Sequence, residues 1–354
     1  MPRLPRSFYA AGIGIPLLLF LVLLNPKVNA APNTGSTITT SPVFVDLSTP
    51  PGTTISTNLQ VENNAPSPIG ITLKLKEFKA SGDTGQAQIE NPLPGDASIS
   101  WVHFSQNSFI AQPSAPNSVT MTIKVPETAA FGYYYAVLFA PNVITNGVVA
   151  NTNTVKGANA VLVLLDAHTA NENNQLNVAS FQADKTSYQF LPANFNVKVH
   201  NSGNIFTVPE GDIYISRTKN GPTIDTLDIN PGQGNILPGT TRSFSASWAD
   251  GFPVYQVKRV NGQVVSNKQG KPVEQLKWNF GNLTKFRFGK YYAHLVLVYN
   301  NGTREIPVNS EVSFWVIPWA MLVGLAVFIG LILLGLWTIM RNIIKHLKTV
   351  RKIK

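Results

Sequence analysis

The chain has no cysteine. Disulfides, thiolate catalysis and cysteine-ligated metals are therefore excluded. An exported chain without disulfides must be held by its own cores, so its domains should be of ordinary size and not small stapled modules. Charge is also scarce, at 13% of residues, and it is unevenly placed. From Val312 to Met340 there is no charged residue, and from Arg341 to Lys354 there are six basic residues and no acid. Catalytic signatures are missing as well. There is no Gly-x-Ser-x-Gly elbow, no phosphate-binding loop and no zinc-helix motif. The histidines, His103, His168, His200, His294 and His346, read as strand, loop or tail residues without a second ligand at metal-binding spacing. Glu210-Gly211-Asp212, and Asp225 with Asp228, read as solvated turn acids and not as a calcium site. The expectation is a protein that is not an enzyme and carries neither metal nor cofactor.

The uncharged run reads as a membrane anchor. Pro318 to Met340 supplies 23 residues, about 35 Å of helix at about 1.5 Å per residue, against a hydrocarbon core about 30 Å thick. Trp315 and Trp319 at one end and Trp337 near the other fit an interfacial aromatic belt. Arg341, Lys345 and Lys348 then mark the cytoplasmic side, which places everything before the span outside. The tail from Arg341 to Lys354 has two readings: a helix continuing along the inner leaflet, or a segment that only sets topology. The net charge of +10 belongs to this topology. Three of the 28 basic residues precede Ala31 and six follow Ser313, leaving 19 against all 18 acids. No basic face remains for nucleic acid.

Residues 1–30 read as a signal peptide, with Arg3 and Arg6 before an apolar stretch and Val28-Asn29-Ala30 as the cleavage site. From about Thr37 the pattern is period two. Ile55, Thr57, Leu59 and Val61 share one face, as do Ile69, Ile71, Leu73 and Leu75. Runs of this kind between Pro, Gly and Asn turns predict an all-β fold: an immunoglobulin-like sandwich over 31–167, a polar linker over 168–175, and a second sandwich over 176–317. Phe131-Gly132-Tyr133 predicts a tyrosine corner with Gly132 making the bend. Alternation places Tyr133 and Tyr135 on one face and Tyr134 on the other. Lys79 to Ser98 reads as an extended loop, Pro141 to Lys156 as a hairpin arm, and Val260-Asn261-Gly262-Gln263-Val264 as a hairpin inside an insertion spanning 250–275.

Two local matches predict a duplicated fold: Phe131 to Ala136 with Phe288 to Ala293, and Val61-Glu62-Asn63-Asn64 with Val199-His200-Asn201-Ser202. The order of signal peptide, two sandwiches, one span and a basic tail resembles the WxL-interacting surface proteins of Gram-positive-type bacteria. Pro51-Gly52-Thr53, Val199 to Asn204, Pro209 to Ile213 and Leu237-Pro238-Gly239 are similar to short signatures of that family. The resemblance implies peptidoglycan binding by the first domain and host-protein binding by the second, with no binding residue that carries over.

Two functional readings follow. One is a membrane-anchored bacterial surface binding protein that engages wall polymer or a surface or host protein. The other is an assembly factor or chaperone for exported subunits, acting through an exposed sheet edge. Because Glu311 to Ile317 alternates as a strand and Pro318 suits a first helical turn, the second domain should sit directly on the outer face of the membrane, with the first projecting outward.

Overall fold

The computed structural model describes residues 37–145, 147–149 and 157–350, with side chains through Ile344. The signal-peptide reading lies outside them, as do residue 146 and residues 150–156 of the hairpin arm.

The first domain contains β1 (Ile38–Ser41), β2 (Phe44–Thr49), β3 (Thr54–Asn63), β4 (Ile69–Ser81), β5 (Gln86–Glu90), β6 (Val102–Phe104), β7 (Ser108–Ala111), β8 (Pro116–Lys124), β9 (Phe131–Asn142), the short pair β10 (Ile144–Thr145) and β11 (Val148–Val149), and β12 (Asn159–Ala167). One sheet runs β1-β3-β8-β6. The other runs β2-β12-β9-β4-β5, with β7 also on β4. Leu59, Val61, Ile71, Val119, Met121, Ile123, Tyr135, Val137, Phe139, Val161 and Val163 fill the space between them. The inward residues are every second one along each strand, which is why period two was readable.

The second domain repeats this topology. It contains β13 (Leu176–Ala183), β14 (Ser187–Tyr188), β15 (Ala193–Asn201), β16 (Glu210–Ser216), β17 (Thr223–Asp228), β18 (Thr241–Trp248), β19 (Val254–Val257), β20 (Arg259–Val260), β21 (Gln263–Val264), β22 (Glu274–Lys277), β23 (Gly289–Asn300) and β24 (Glu305–Val316). Its sheets run β13-β15-β18 and β14-β24-β23-β16-β17. In each domain a short strand lies parallel to the last strand: β2 on β12, and β14 on β24. The second core centres on Trp248, whose ring meets Tyr291 at 5.1 Å and Phe314 at 5.9 Å. The chain then forms one helix, α1 (Trp319–Val350).

The two repeat signatures fare differently. Asn63 and Asn201 are true equivalents. Each is fully buried at the end of its strand. Asn63 donates to the carbonyls of Ser67 (2.8 Å) and Ala111 (3.0 Å) and accepts from the N–H of Ala65 (2.8 Å). Asn201 donates to Ile205 (2.7 Å) and Ile236 (2.8 Å) and accepts from Gly203 (2.9 Å).

The Phe-Gly match needs a one-residue correction. The corner hydroxyls are those of Tyr133, which accepts from Ala130 N–H at 3.2 Å, and Tyr291, which accepts from Phe288 N–H at 3.3 Å. Phe131 therefore stands where Gly289 does, and both have positive φ, 67° and 110°. The bend falls on Phe131, not on Gly132. Parity enforces this register: Tyr133 and Tyr291 both face a core, whereas Tyr134 faces the other way.

The Asn261-Gly262 turn forms as expected, with φ of 51° and 79° joining β20 to β21. Lys79 to Ser98 is not a single loop. Its first half is the β4–β5 hairpin, which pairs Glu77–Ser81 with Gln86–Glu90 around a turn at 82–85. The basic tail does not begin as a separate segment, since α1 continues through Arg341 to Val350.

Candidate partner-binding surfaces

The outer face of the larger first-domain sheet is apolar. Phe78, Tyr134, Ala136, Leu162 and Leu164 alternate with the core residues of β4, β9 and β12, and they pack on Leu237 and Phe206 of the second domain. This explains the unbroken runs Tyr133 to Ala140 and Ala160 to Leu165: these strands are covered on both faces. The β4–β5 hairpin tip reaches across. Asp83 accepts from Lys198 Nζ (2.7 Å) and Ser243 Oγ (2.8 Å), and its carbonyl accepts from Ser243 N–H (2.7 Å).

Between the domains lies a cleft of about 260 Å³, lined by Phe44, Phe78, Leu162, Leu164 and Leu237 with Arg242 among them. The Arg242 guanidinium donates to the carbonyl of Asn235 at 2.8 Å and lies 5.5 Å from the Phe244 ring. Gly85 of the first domain and Gly234 of the second flank it so closely that a Cβ at either would overlap it. The arginine is a wedge in the joint, and burial lowers its pKa.

Hydrogen bonds from Lys198, and then Ser243, hold Asp83 below its usual 3.8. Its folded pKa is depressed, so its contribution is complete above 3.8 and is lost as the pH falls through the lower folded value. Small-angle scattering of the protein in detergent should therefore show looser interdomain docking below pH 3.8 than at pH 6, and Asp83→Ala should give the acid-like profile at pH 6. An unchanged profile in both would show that the apolar contact alone fixes the joint.

The connection over 168–175 is not a free tether. Asn173 N–H donates to Asn204 Oδ1 (2.8 Å), Asn204 Nδ2 donates to the Asn171 carbonyl (3.0 Å), and Asn174 Nδ2 donates to the Asn300 carbonyl (3.1 Å). At its start Asp166, His168 and Glu172 converge, with one ligand-type atom from each within 4.8 Å of the others. This corrects the sequence reading, in which no histidine had a carboxylate at ligand spacing. Burial first, and then the neighbouring Glu172, raises Asp166 to about 6. The other acids singled out from the sequence are engaged locally. Asp228 accepts from Asn230 N–H at 2.8 Å and Asp225 from Thr226 N–H at 2.9 Å.

The last strand of each sandwich differs at its free side. In the first domain β12 is covered by β2 from Leu162 to Ala167. In the second, β14 covers only Trp315 and Val316 of the twelve-residue β24. Trp315 N–H donates to Thr186 and Ile317 N–H to Tyr188, so odd-numbered residues of β24 point their backbone groups outward. Asn309, Glu311 and Ser313 thus present N–H and C=O groups to an edge with no strand hydrogen-bonded to it among the described residues. Pro307 occupies the same edge without an N–H, a common protection of open edges.

The end of the second domain from which α1 departs is the other distinctive surface. Gly289 pairs with Val316, three residues before α1 begins. The chain just ahead of Gly289 therefore lies where the helix leaves the domain. It exposes Trp278, Phe280 (67%), Leu283 (58%), Phe286 and Phe288. Trp278 and Phe280 stack at 6.4 Å over Phe252. Beneath them Asp250 holds Lys285 (2.5 Å) and Arg287 (2.7 Å). Burial would raise the Asp250 pKa, but the two cations outweigh it and hold the group below its usual value. Trp315 is half-exposed on the outer face of β24, and Trp319 opens the helix. Trp337 lies 5.4 Å from the Arg341 guanidinium. Lys345 and Lys348 lie on the same helix, with side chains outside the described set. Within Trp319–Ile344 an 18-residue window reaches a mean hydropathy of 2.6, and none of that window is buried in the protein. The aromatic group over 278–288 was not legible from the sequence. Its only signal was a dense apolar stretch without period two, immediately after the polar insertion.

No family model matches the chain, and no curated protein matches it. The expected WxL-interacting membership is thus unsupported beyond the two-sandwich architecture. Among solved structures, the class 5 fimbriae chaperone CfaA is 18% identical, with 68% of this chain and 99% of that chain covered and a TM-score of 0.35. A chain from a chaperone–tip adhesin complex vital for CFA/I fimbriae biogenesis is 19% identical, with 68% and 98% covered and a TM-score of 0.34. A chain of the CsuC–CsuE pre-assembly complex from the Csu pili of Acinetobacter baumannii is 10% identical, with 59% and 89% covered and a TM-score of 0.30. No functional conclusion is carried by superpositions this distant.

Proposed function

We propose that this chain is a membrane-anchored assembly factor that holds exported surface proteins by strand addition at the edge of β24, with its domains on the outer side of the membrane. The observation that supports this is the open edge at Asn309, Glu311 and Ser313, whose outward N–H and C=O groups pair with no strand among the described residues while the corresponding edge of the first domain is closed. An extended polypeptide can satisfy such an edge with backbone hydrogen bonds whatever its sequence. Half-buried Ile306, Val308 and Val312 line the core side of the same strand, where alternate side chains of an added strand would pack. The basic residues after the span support the orientation, and the helix keeps the edge close to the membrane. Wall polymer is the rival ligand, but the three tyrosines at 133–135 are not arranged as a sugar-stacking surface. Tyr133 and Tyr135 face the core and Tyr134 lies in the domain joint.

The test is direct. Proline at Asn309 and Ser313 removes edge-facing donors and leaves the β23 ladder intact, as Pro307 already does. The double variant should keep the wild-type unfolding midpoint within a few degrees. It should lose at least about 10-fold in the capture of exported surface proteins, or of extended peptides from them, by the full-length protein in nanodiscs. Undiminished capture, or capture of purified wall polymer alone, would refute strand addition.

A further inference from the structure

We propose that Asp166, His168 and Glu172 form a binding site for a first-row divalent cation, zinc above all, at the start of the connection between the two sandwiches. The site does not depend on the strand-addition reading. Three donors converge within 4.8 Å: an imidazole nitrogen and two carboxylate oxygens. One of them is unusually placed. Asp166 is only 8% exposed, and its Oδ2 accepts from Ser48 Oγ at 3.2 Å. Its other oxygen, Oδ1, is buried and accepts no hydrogen bond. A buried carboxylate oxygen beside a second carboxylate is unfavourable unless a cation or a proton lies between them.

The backbone holds the three residues in place before any ion arrives. Asp166 and Ala167 end a strand paired to Ser48 and Thr49. His168 N–H donates to the Thr49 carbonyl at 3.1 Å. Glu172 is fixed by a turn: its N–H donates to the Thr169 carbonyl (3.2 Å), and its Oε1 accepts from Thr169 N–H (2.7 Å). Oε2 lies 2.8 Å from His168 Nδ1, so imidazole and carboxylate already share one spot. A modest rotation of the largely exposed His168 ring would admit an ion between them.

The donor set selects the ion. One nitrogen and two oxygens, with water in the fourth position, suit tetrahedral zinc. Calcium takes about six to eight oxygens and would find two here. An ion at this point would tie the end of β12 to the connection that is itself bonded to the second domain. It would act as a clip between the sandwiches.

Tag-free full-length protein in detergent, stripped by a chelator, should be titrated with zinc chloride by calorimetry and by thermal unfolding. One zinc per chain is expected, with a midpoint that rises with zinc concentration. X-ray absorption should show one nitrogen and oxygens at about 2.0–2.2 Å. His168→Gln and Glu172→Gln should each weaken zinc at least about 10-fold. The exposed His168 is the safer variant for folding, and its zinc-free midpoint should match wild type. Three results would overturn the site. One is the absence of heat and of any midpoint shift at millimolar zinc, which would leave a proton alone between the carboxylates. The second is zinc binding unchanged by both substitutions, which would place the ion elsewhere. The third is binding of calcium in preference to zinc.

Discussion

Replacing Asn201 with leucine will cost the second sandwich about 3–6 kcal/mol. The substitution is nearly volume-neutral, so the loss is one of hydrogen bonding. It strands the carbonyl of Ile205 and the N–H of Gly203 and removes one of the two bonds to the Ile236 carbonyl, which keeps the Thr207 N–H at 3.1 Å; the three bonds to Asn201 are 2.7–2.9 Å long. Each buried group left without a partner costs about 1–3 kcal/mol. In a domain of this size the midpoint should fall by about 10–20 °C. Asn63→Leu should do the same to the first sandwich, because Asn63 makes the same three kinds of bond. Asn177→Ala is the control. Its side chain makes an exposed bond to Ser202 Oγ, and the loss of that bond should cost under about 0.5 kcal/mol. Urea unfolding followed separately in each domain measures all three. Near-wild-type stability of Asn201→Leu would mean that water can take over the buried bonds.

Serine at Trp278, Phe280 and Leu283 together will release the second domain from the membrane surface while leaving it folded. These side chains lie at the end of the sandwich where α1 departs, and they are exposed to solvent in the protein alone. Burying them in an interface contributes about 1 kcal/mol each for partial burial. Three such contacts favour the seated state by roughly 100-fold, which the triple variant should erase. The absence of cysteine makes the measurement clean. A single cysteine introduced at Phe286 and spin-labelled should report interfacial depth in nanodiscs, and one at Thr84, on the distal hairpin, should report water. In the triple variant the label at 286 should become water-accessible. Equal accessibility before and after would show that α1 alone tethers the domain.

Much of the fold was legible in advance. The inward residues Leu59, Val61, Val119, Met121 and Ile123 recur at period two, and a pleated strand has no other way to bury one face. The Asn261-Gly262 turn was equally plain, since two successive positive φ values favour that pair. The β4–β5 hairpin was missed because its tip contains little apolar content: Asp83 is held by polar bonds to a partner 115 and 160 residues away. The corner tyrosine, Tyr133, was read correctly, but its bend was placed one residue late and the repeat match was aligned one residue off, because Phe-Gly looks the same in both halves and only the facing of Tyr133 and Tyr291 distinguishes the registers.

The sequence alone determined an apolar helix of membrane-spanning length ahead of a basic tail, and the presence of two sandwiches. Each of these rests on a local property: an uncharged run, flanking charge, or alternation along one strand. What faces what was decided by tertiary structure. Strand pairing leaves β24 open where β12 is closed, sets Arg242 between two glycines at the domain joint, and gathers Asp166, His168 and Glu172 around one point. None of these follows from local pattern, because an edge is defined by the strand that is not there, and a cluster by a turn whose geometry depends on what it packs against.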